Sequence, residues 1–433
     1  MEKPHSRKKF WTALVIFSLV GQVAWVVENM YFNVFIYKMF HADPEAISAM
    51  VSASAAAATI TTLLIGALSD KLGKRKLFIC GGYIAWGITI WSFALIRTDV
   101  ISAWIPASAS AAAVGISLTI IMDCLMTFFG SSANDAAFNA WLTDVTDESN
   151  RGAAEGINSM MPLLAILVVF GGFMGFDLNE SGSWVTIFTV IGIAVIGIGV
   201  AGIFLIREPV LKTDENQSYF GNIFYGFRPG VIRDNKVLYL TFIAFSVFNI
   251  SIQIFMPYLI LYYTEALKLE NYVLIMAPAV ILAAAFTAIY GRVYDRKGFR
   301  AAVIPTIALL MGGYILLYLC RNTALVFAGS LLMMCGYLGG MGIFGAMVRD
   351  HTPQNKAGMF QGLRICSQVL IPGFIGPAVG AWVLRDAETV IGDDGTAAFI
   401  PNENIFLAAL IAAVVIFVAL IPVFRAKKEK VSG

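Results

Sequence analysis

The chain has 433 residues, 58% of them hydrophobic and 13% charged, with a formal net charge of +2. Soluble domains carry about a quarter charged residues, so this composition excludes an ordinary soluble protein and describes one made to sit in lipid. The basic clusters fall where membrane topology demands them, which removes the reason to read them as a nucleic-acid surface.

Twelve apolar stretches are predicted to cross the bilayer as helices, each near the ~20 residues needed to span about 30 Å of hydrocarbon. In chain order they cover roughly 11–38, 46–68, 77–97, 112–142, 156–176, 184–206, 237–264, 271–294, 301–320, 323–348, 358–384 and 404–424. The first is too long for a signal peptide and is followed by no small-residue cleavage site. Lys3, Arg7, Lys8 and Lys9 precede it, and Lys71, Lys74, Arg75 and Lys76 follow the second span. Further basic clusters lie in Arg207–Lys236, Arg292–Arg300 and Arg425–Lys430, whereas the opposite loops hold only Lys38, Arg97, Lys268, Arg321 and Arg385. The positive-inside rule then puts both termini in the cytoplasm and makes the chain a multi-pass protein of the cell membrane.

An ionisable side chain at mid-bilayer costs about 2.5–3.5 kcal/mol on insertion scales, so each one inside a span calls for a cavity or a partner. In the first span, AWVVENMYFN sets Trp25, Glu28, Asn29 and Phe32 at i, i+3, i+4 and i+7, one helical face. A carboxylate and an amide beside an aromatic ring suit a sugar, whose hydroxyls pair with the polar groups while the ring covers its C–H face. The plainer reading is a polar clamp between helices with Trp25 as packing.

The fourth span ends in FGSSANDAAFNAWLTD, residues 129–144, after extra residues around 98–112 that suggest a short re-entrant or surface piece. Asp144 is expected at the cytoplasmic end, which puts Asp135 roughly 13 Å deeper, near the midplane. Ser131, Asp135 and Asn139 follow at i, i+4 and i+8 on one face. A carboxylate there is placed to take up and release a proton, unless it is simply hydrogen-bonded among packed helices. Asp123, some 18 Å further along, is expected near the outer surface.

Later spans add less. Glu155, one turn into the fifth, is favourable at a helix N-terminus without any function. Asn249 and Gln253 form an i, i+4 pair in the seventh, where Pro257 is expected to kink the helix. Arg364, about two turns inside the eleventh, either snorkels to the surface or serves as the counter-charge of an embedded acid. Cys80, Cys124, Cys320, Cys335 and Cys366 have no CxxC spacing, and His5, His41 and His351 lie near membrane ends or tails, so no metal site is expected.

An internal repeat organises all of this. GALSDKLGKRK (66–76) and GRVYDRKGFR (291–300) share G-x-x-x-D-[KR]-x-G-x-R, with Gly66/Gly291, Asp70/Asp295, Gly73/Gly298 and Arg75/Arg300 each 225 residues apart. The same offset carries Glu28 onto Gln253, while Asp144/Asp350, Glu155/Gln361 and Gly156/Gly362 repeat at 206. A duplicated six-helix unit joined by a polar loop is a known transporter design with a midplane site. The expected divisions are an N-terminal bundle 1–206, a cytoplasmic linker 207–236 and a C-terminal bundle 237–433.

GALSDKLGKRK resembles the loop signature of the major facilitator superfamily, and with its degenerate second copy and twelve spans the resemblance covers essentially the whole chain. It implies an all-α membrane protein of two pseudo-symmetric six-helix bundles that works by alternating access. It also implies a cytoplasmic gate at Asp70, Lys71 and Arg75, matched by Asp295, Arg296 and Arg300. An aspartate just outside a helix can pair with Lys/Arg and helix ends to latch such bundles. WVVENMY is similar to the first-helix pattern of the sugar–proton symporters of solute-carrier family 45. NDAAFNAWLTDVT resembles the fourth helix of the glycoside–pentoside–hexuronide:cation symporters, typified by the melibiose carrier, with Asp135 at the place of a sugar-binding aspartate. The sodium-binding acid pair that those carriers place in the second helix is absent from ISAMVSASAAAATITTLLIGAL, and their first-helix acid would fall near Val23 rather than Glu28.

The expectation is therefore proton-coupled uptake of a sugar or glycoside, with the proton favoured over sodium as coupling ion. Trp25, Glu28, Asn29, Asn139, Asn249 and Gln253 are the candidate solute contacts, Asp135 and Glu28 the candidate coupling acids, and Arg364 the candidate counter-charge. Other than the small polar solute and membrane lipids no partner is expected, nucleic acid included, and the two-bundle unit should work as a monomer. Without a nucleophile motif, zinc spacing or phosphate loop, neither an enzyme nor a cofactor is expected. An exporter of drugs or metabolites and a cation-coupled lysolipid carrier are the alternatives on the same fold.

Overall fold

The computed structural model describes residues 4–106, 110–146, 150–209, 223–269, 271–353, 357–391 and 397–431. Eleven helices among them are long and apolar enough to cross a membrane. One of these, Val273–Leu319, has 47 residues, which would reach about 70 Å if straight, twice the hydrocarbon thickness. It breaks at Gly298, where φ is 78° and ψ 176°, and so supplies the eighth and ninth spans, giving twelve crossings in all.

That break explains the repeated loop motif. Gly298 and its repeat mate Gly73 (φ 63°) are the positive-φ glycines among the described residues. Gly298 occupies a region that essentially only glycine adopts. A Cβ there would meet nothing within 4 Å, so any penalty of a side chain lies in the backbone alone. Gly298→Ala is expected to cost about 1–3 kcal/mol, seen as a lower midpoint of thermal unfolding in detergent. An unchanged midpoint would mean the turn tolerates an ordinary residue.

The chain divides into two compact units, Met1–Ala42 with Ala53–Gly221, and Asp43–Ser52 with Asn222–Gly433. Much of the expected linker lies outside the described residues, and its described part forms the short helices Tyr225–Phe227 and Pro229–Asp234. In the first unit the third span, Arg75–Ser92, packs closely on the sixth, Ser181–Leu205. A Cβ on Gly87 would lie 2.6 Å from the Gly192 carbonyl oxygen, so bare backbone is what lets these helices meet. Phe32, Phe35, Phe93, Trp184 and Phe188 form an aromatic cluster in the same unit. The second unit is built around Phe245, Phe248 and Phe344 and, separately, Phe255, Tyr314 and Phe406.

The expected piece before the fourth span is a short helix, Thr98–Ser102. A feature without a sequence cue is the antiparallel pair Thr389–Ile391 with Ala397–Phe399 between the last two spans. The spans themselves are interrupted by π-helical segments at Val27–Tyr31, Ser131–Phe138, Tyr262–Ala266 and Cys366–Leu370. Such widened turns often occur at functional sites, and the first two contain Glu28 and Asp135. At Pro257 the seventh span changes to a 3₁₀ turn, Met256–Tyr258, as expected of a residue that cannot donate to the helix ladder.

Candidate functional site

The first unit gathers its polar side chains from four helices. Glu28 is 6% exposed, and its Oε1 accepts hydrogen bonds from Ser54 Oγ of the second span (2.7 Å) and Thr127 Oγ1 of the fourth (2.8 Å). The two hydroxyl oxygens lie 2.9 Å apart. Asp123, 2% exposed, interacts with Glu28 and the Ser54 hydroxyl. Glu28 Oε2 and Asp123 Oδ1 are buried without a hydrogen-bond partner. Neither acid makes an ion pair among the described residues. Counting along the helix gives the height of Asp123, but not that its side chain turns inward toward the first and second spans.

The face proposed for the first span does not hold together. Glu28 and Phe32 are buried, Trp25 is half-buried and Asn29 exposed. Phe32 packs on Phe93 and Phe188, Trp25 lies against Trp86 with ring centroids 5.0 Å apart, and the Asn29 amide donates to the Trp25 carbonyl at 2.8 Å. The π-turn at Val27–Tyr31 is the reason, because it breaks the 3.6-residue register on which the face was counted.

One turn sets the fate of the polar residues in the fourth span. Asn134 is buried and donates to Tyr83 Oη at 2.6 Å, and that hydroxyl donates to the Phe17 carbonyl at 2.8 Å. It is a packing residue that ties three helices together. Its neighbour Asp135 is half-buried, with Oδ2 accepting from Ser131 Oγ at 3.0 Å. Asn139 is exposed and donates to the Asp135 carbonyl at 3.2 Å. Asp135 and Asn139 thus remain within reach of a solute, and Asn134 does not.

In the second unit Asn249 is buried and spends its amide on the Phe245 carbonyl (2.8 Å). Gln253 is half-buried, and its Cβ abuts Gly376 of the eleventh span. Arg364 is exposed, donates to Gln368 Oε1 at 3.3 Å, and pairs with no acid among the described residues. The Glu155 side chain lies outside the described residues.

The loop motif forms a charge cluster at the end of the spans that carries the basic loops. Arg75, nearly fully buried, reaches Asp70 Oδ1 (2.5 Å), Asp144 Oδ2 (2.9 Å) and Ser69 Oγ (2.6 Å). Glu208 accepts from the Lys76 amide with both oxygens at 3.2 Å, at the N-terminus of the same helix, where an anion is favoured. Lys71 is exposed. The second copy is different. Arg300 stands over the Phe424 ring at 5.3 Å, and Asp350, the repeat mate of Asp144, accepts from Tyr294 Oη at 2.5 Å. Asp295, Arg296 and Arg300 are exposed and form no ion pair among the described residues. Among the described residues Arg300 thus meets Phe424 and Asp350 meets Tyr294, so the charge cluster of the first copy is not repeated in the second.

Pattern reading gave no role to Ser54 or Thr127, and used Asp123 and Asp144 only to judge height along the fourth span. A signal was available there: Asp123, Thr127, Ser131 and Asp135 recur at steps of four, a polar stripe along one apolar helix. Ser54 stands in the alanine-rich stretch SASAAAA and gives no cue. Among the described residues the buried polar side-chain atoms without a partner, on Trp25, Glu28, Asn33, Thr62, Trp86 and Asp123, belong to the first unit. In the second unit Tyr263 is bonded to Ser330 (2.6 Å) and Tyr314 to Ser251 (3.0 Å).

Residues 10–377 match the model of the Major Facilitator Superfamily. The fold is similar to that of a bacterial homolog to the human lysosomal transporter Spinster, inward-facing and unoccupied, with TM-score 0.72 and 15% identity over 99% of this chain and 98% of that one. It is likewise similar to the nucleoside transporter NupG (TM-score 0.68, 16% identity, 95% and 98% covered). The xylose transporter XylE from E. coli, partially occluded and inward open, gives TM-score 0.68 and 12% identity with 94% and 96% covered. No curated protein matches the sequence. The family match spans most of a chain with a duplicated loop motif and twelve helical crossings, so this protein belongs to the Major Facilitator Superfamily and is a transporter, not an enzyme.

Proposed function

We propose that the protein takes up a sugar or glycoside together with a proton, by alternating access across the cell membrane with both termini cytoplasmic. The observation that carries this reading is a pair of membrane-embedded acids, Glu28 and Asp135, with no ion-pair partner among the described residues. Acids inside a span mark proton or substrate pathways. Solvent-reachable Asp135, Asn29 and Asn139 offer hydroxyl-binding groups, and half-buried Trp25 offers an aromatic edge. Similarity to a D-xylose–proton symporter and a nucleoside transporter supports a polar solute. The short resemblances in the first and fourth spans support a glycoside.

Reconstitution in liposomes with a trapped pH dye tests the reading. One glycoside, added without sodium, is expected to carry protons inward and acidify the lumen. Asp135→Asn is expected to abolish accumulation driven by a pH gradient, and unchanged accumulation would remove Asp135 from coupling. Silence across all sugars, with the protein shown to be folded, would favour the exporter or the lysolipid carrier.

A further inference from the structure

We propose that Glu28 and Asp123, together with the hydroxyls of Ser54 and Thr127, form a single proton-binding site in which the two carboxyls act as one. The proposal rests on the proton coupling argued above and names the group that stores the proton, with the half-buried Asp135 as its point of exchange with solvent.

A count of hydrogens comes first. Glu28 Oε1, Ser54 Oγ and Thr127 Oγ1 form a triangle of contacts at 2.7, 2.8 and 2.9 Å. Two hydroxyls supply two hydrogens for three contacts. With both hydroxyls donating to Glu28 Oε1, the contact between them is left without a hydrogen. A proton on Oε1 lets one hydroxyl turn to the other and closes the ring, each oxygen then donating once and accepting once.

Unpartnered atoms supply the second argument. Glu28 Oε2 and Asp123 Oδ1 are acceptors closed off from solvent and without a donor. Leaving an ionised carboxylate in that condition is far costlier than leaving a neutral acid. A metal ion or an organic cation would need room and several further oxygens, whereas a proton enters such a closed site without rearrangement. The nearby Asp123 interacts with Glu28, and two such like charges favour holding a proton between them.

Among the described residues no cationic side chain acts on the pair. The fourth span presents Asp135 and Cys124 to the pair. The third brings Tyr83 near Asp135 rather than to the pair, with its hydroxyl already bonded to Phe17 and Asn134, and the second brings the Ser54 hydroxyl. Along the fourth span Asp135, Ser131, Thr127 and Asp123 descend in steps of four. Ser131 is bonded to Asp135, and Thr127 to Glu28. That stripe sets the half-buried acid and Asp123 of the buried pair along one helix, with the step from Ser131 to Thr127 left for a moving proton to cross.

A carbodiimide probe, which reacts with protonated carboxyls in apolar surroundings, tests this without any substrate. Purified protein in detergent is labelled across a pH series, and adducts at Glu28 and Asp123 are quantified by mass spectrometry. Wild-type Glu28 should be labelled, less so as pH rises. In Asp123→Asn the half-labelling point of Glu28 should move to lower pH by about one unit, the coupling expected of paired sites. In Glu28→Gln the Asp123 profile should move likewise, so either variant that folds decides the matter. A Glu28 profile unmoved by Asp123→Asn, or no labelling of either acid at any pH, would overturn the shared site. Because no transport is measured, that failure is distinct from failure of the liposome experiment.

Discussion

Replacing Arg75 by alanine is expected to lower stability by about 3 kcal/mol, the low end of what breaking a buried ion pair costs. The low end applies because Asp70 is half exposed and its arm is partly screened. Asp144, only 20% exposed, keeps its charge with no guanidinium to meet it. Transport should fall at least about tenfold, the effect of 1.4 kcal/mol on one conformational equilibrium. Arg75→Lys should not restore it, since one ammonium cannot reproduce a fork that serves Asp70, Asp144 and Ser69 together. Arg300→Ala is the contrast, because that side chain only covers the Phe424 ring. Thermal melts and initial uptake rates of the three variants provide the check, and equal losses from Arg75→Ala and Arg300→Ala would end the claim of an unequal gate.

Glu28→Gln is expected to remove uphill accumulation altogether, leaving internal solute no higher than external. The amide preserves shape and can still accept from Ser54 and Thr127, but it cannot carry a proton. It also relieves a buried carboxyl of an unpartnered oxygen, so the melting temperature should hold or rise. That combination separates lost coupling from misfolding. Glu28→Asp, one methylene shorter, would withdraw Oε1 from both hydroxyls and should lose accumulation as well. Accumulation ratios under an imposed pH gradient decide the outcome. A Gln variant that still concentrates solute would take Glu28 out of the mechanism.

The fold was largely legible because its signals are long. Twenty-residue apolar runs, basic loops and a motif repeated at 225 residues each hold over many positions. The eighth and ninth spans show how far that goes, since the repeated glycine marks the break at Gly298 even inside a continuous helix. The site was legible only in part. Glu28 and Asp135 stood out as acids in lipid, but a face counted at 3.6 residues per turn is wrong where π-turns intervene. Asn29 and Phe32 were therefore assigned to a surface they do not share. Ser54 and Asp123 meet Glu28 by tertiary packing alone. The difference between the two motif copies was hidden for a related reason: their shared sequence says nothing of Phe424 and Tyr294, which decide what Arg300 and Asp350 touch.

The uneven distribution of unpartnered polar atoms has a consequence for how such a chain evolves. Each buried unsatisfied group costs roughly 1–3 kcal/mol, and those found among the described residues lie in the first unit. In the second unit Tyr263 and Tyr314 are bonded to serines, and Tyr258 and Tyr262 to backbone carbonyls. One half thus carries local frustration, the condition for holding protons and changing shape, while the other has the better-matched interior of a frame. Mutations that satisfy polar groups should therefore divide by address: those in residues 25–123 trade activity for stability, and those in the second unit find little left to improve.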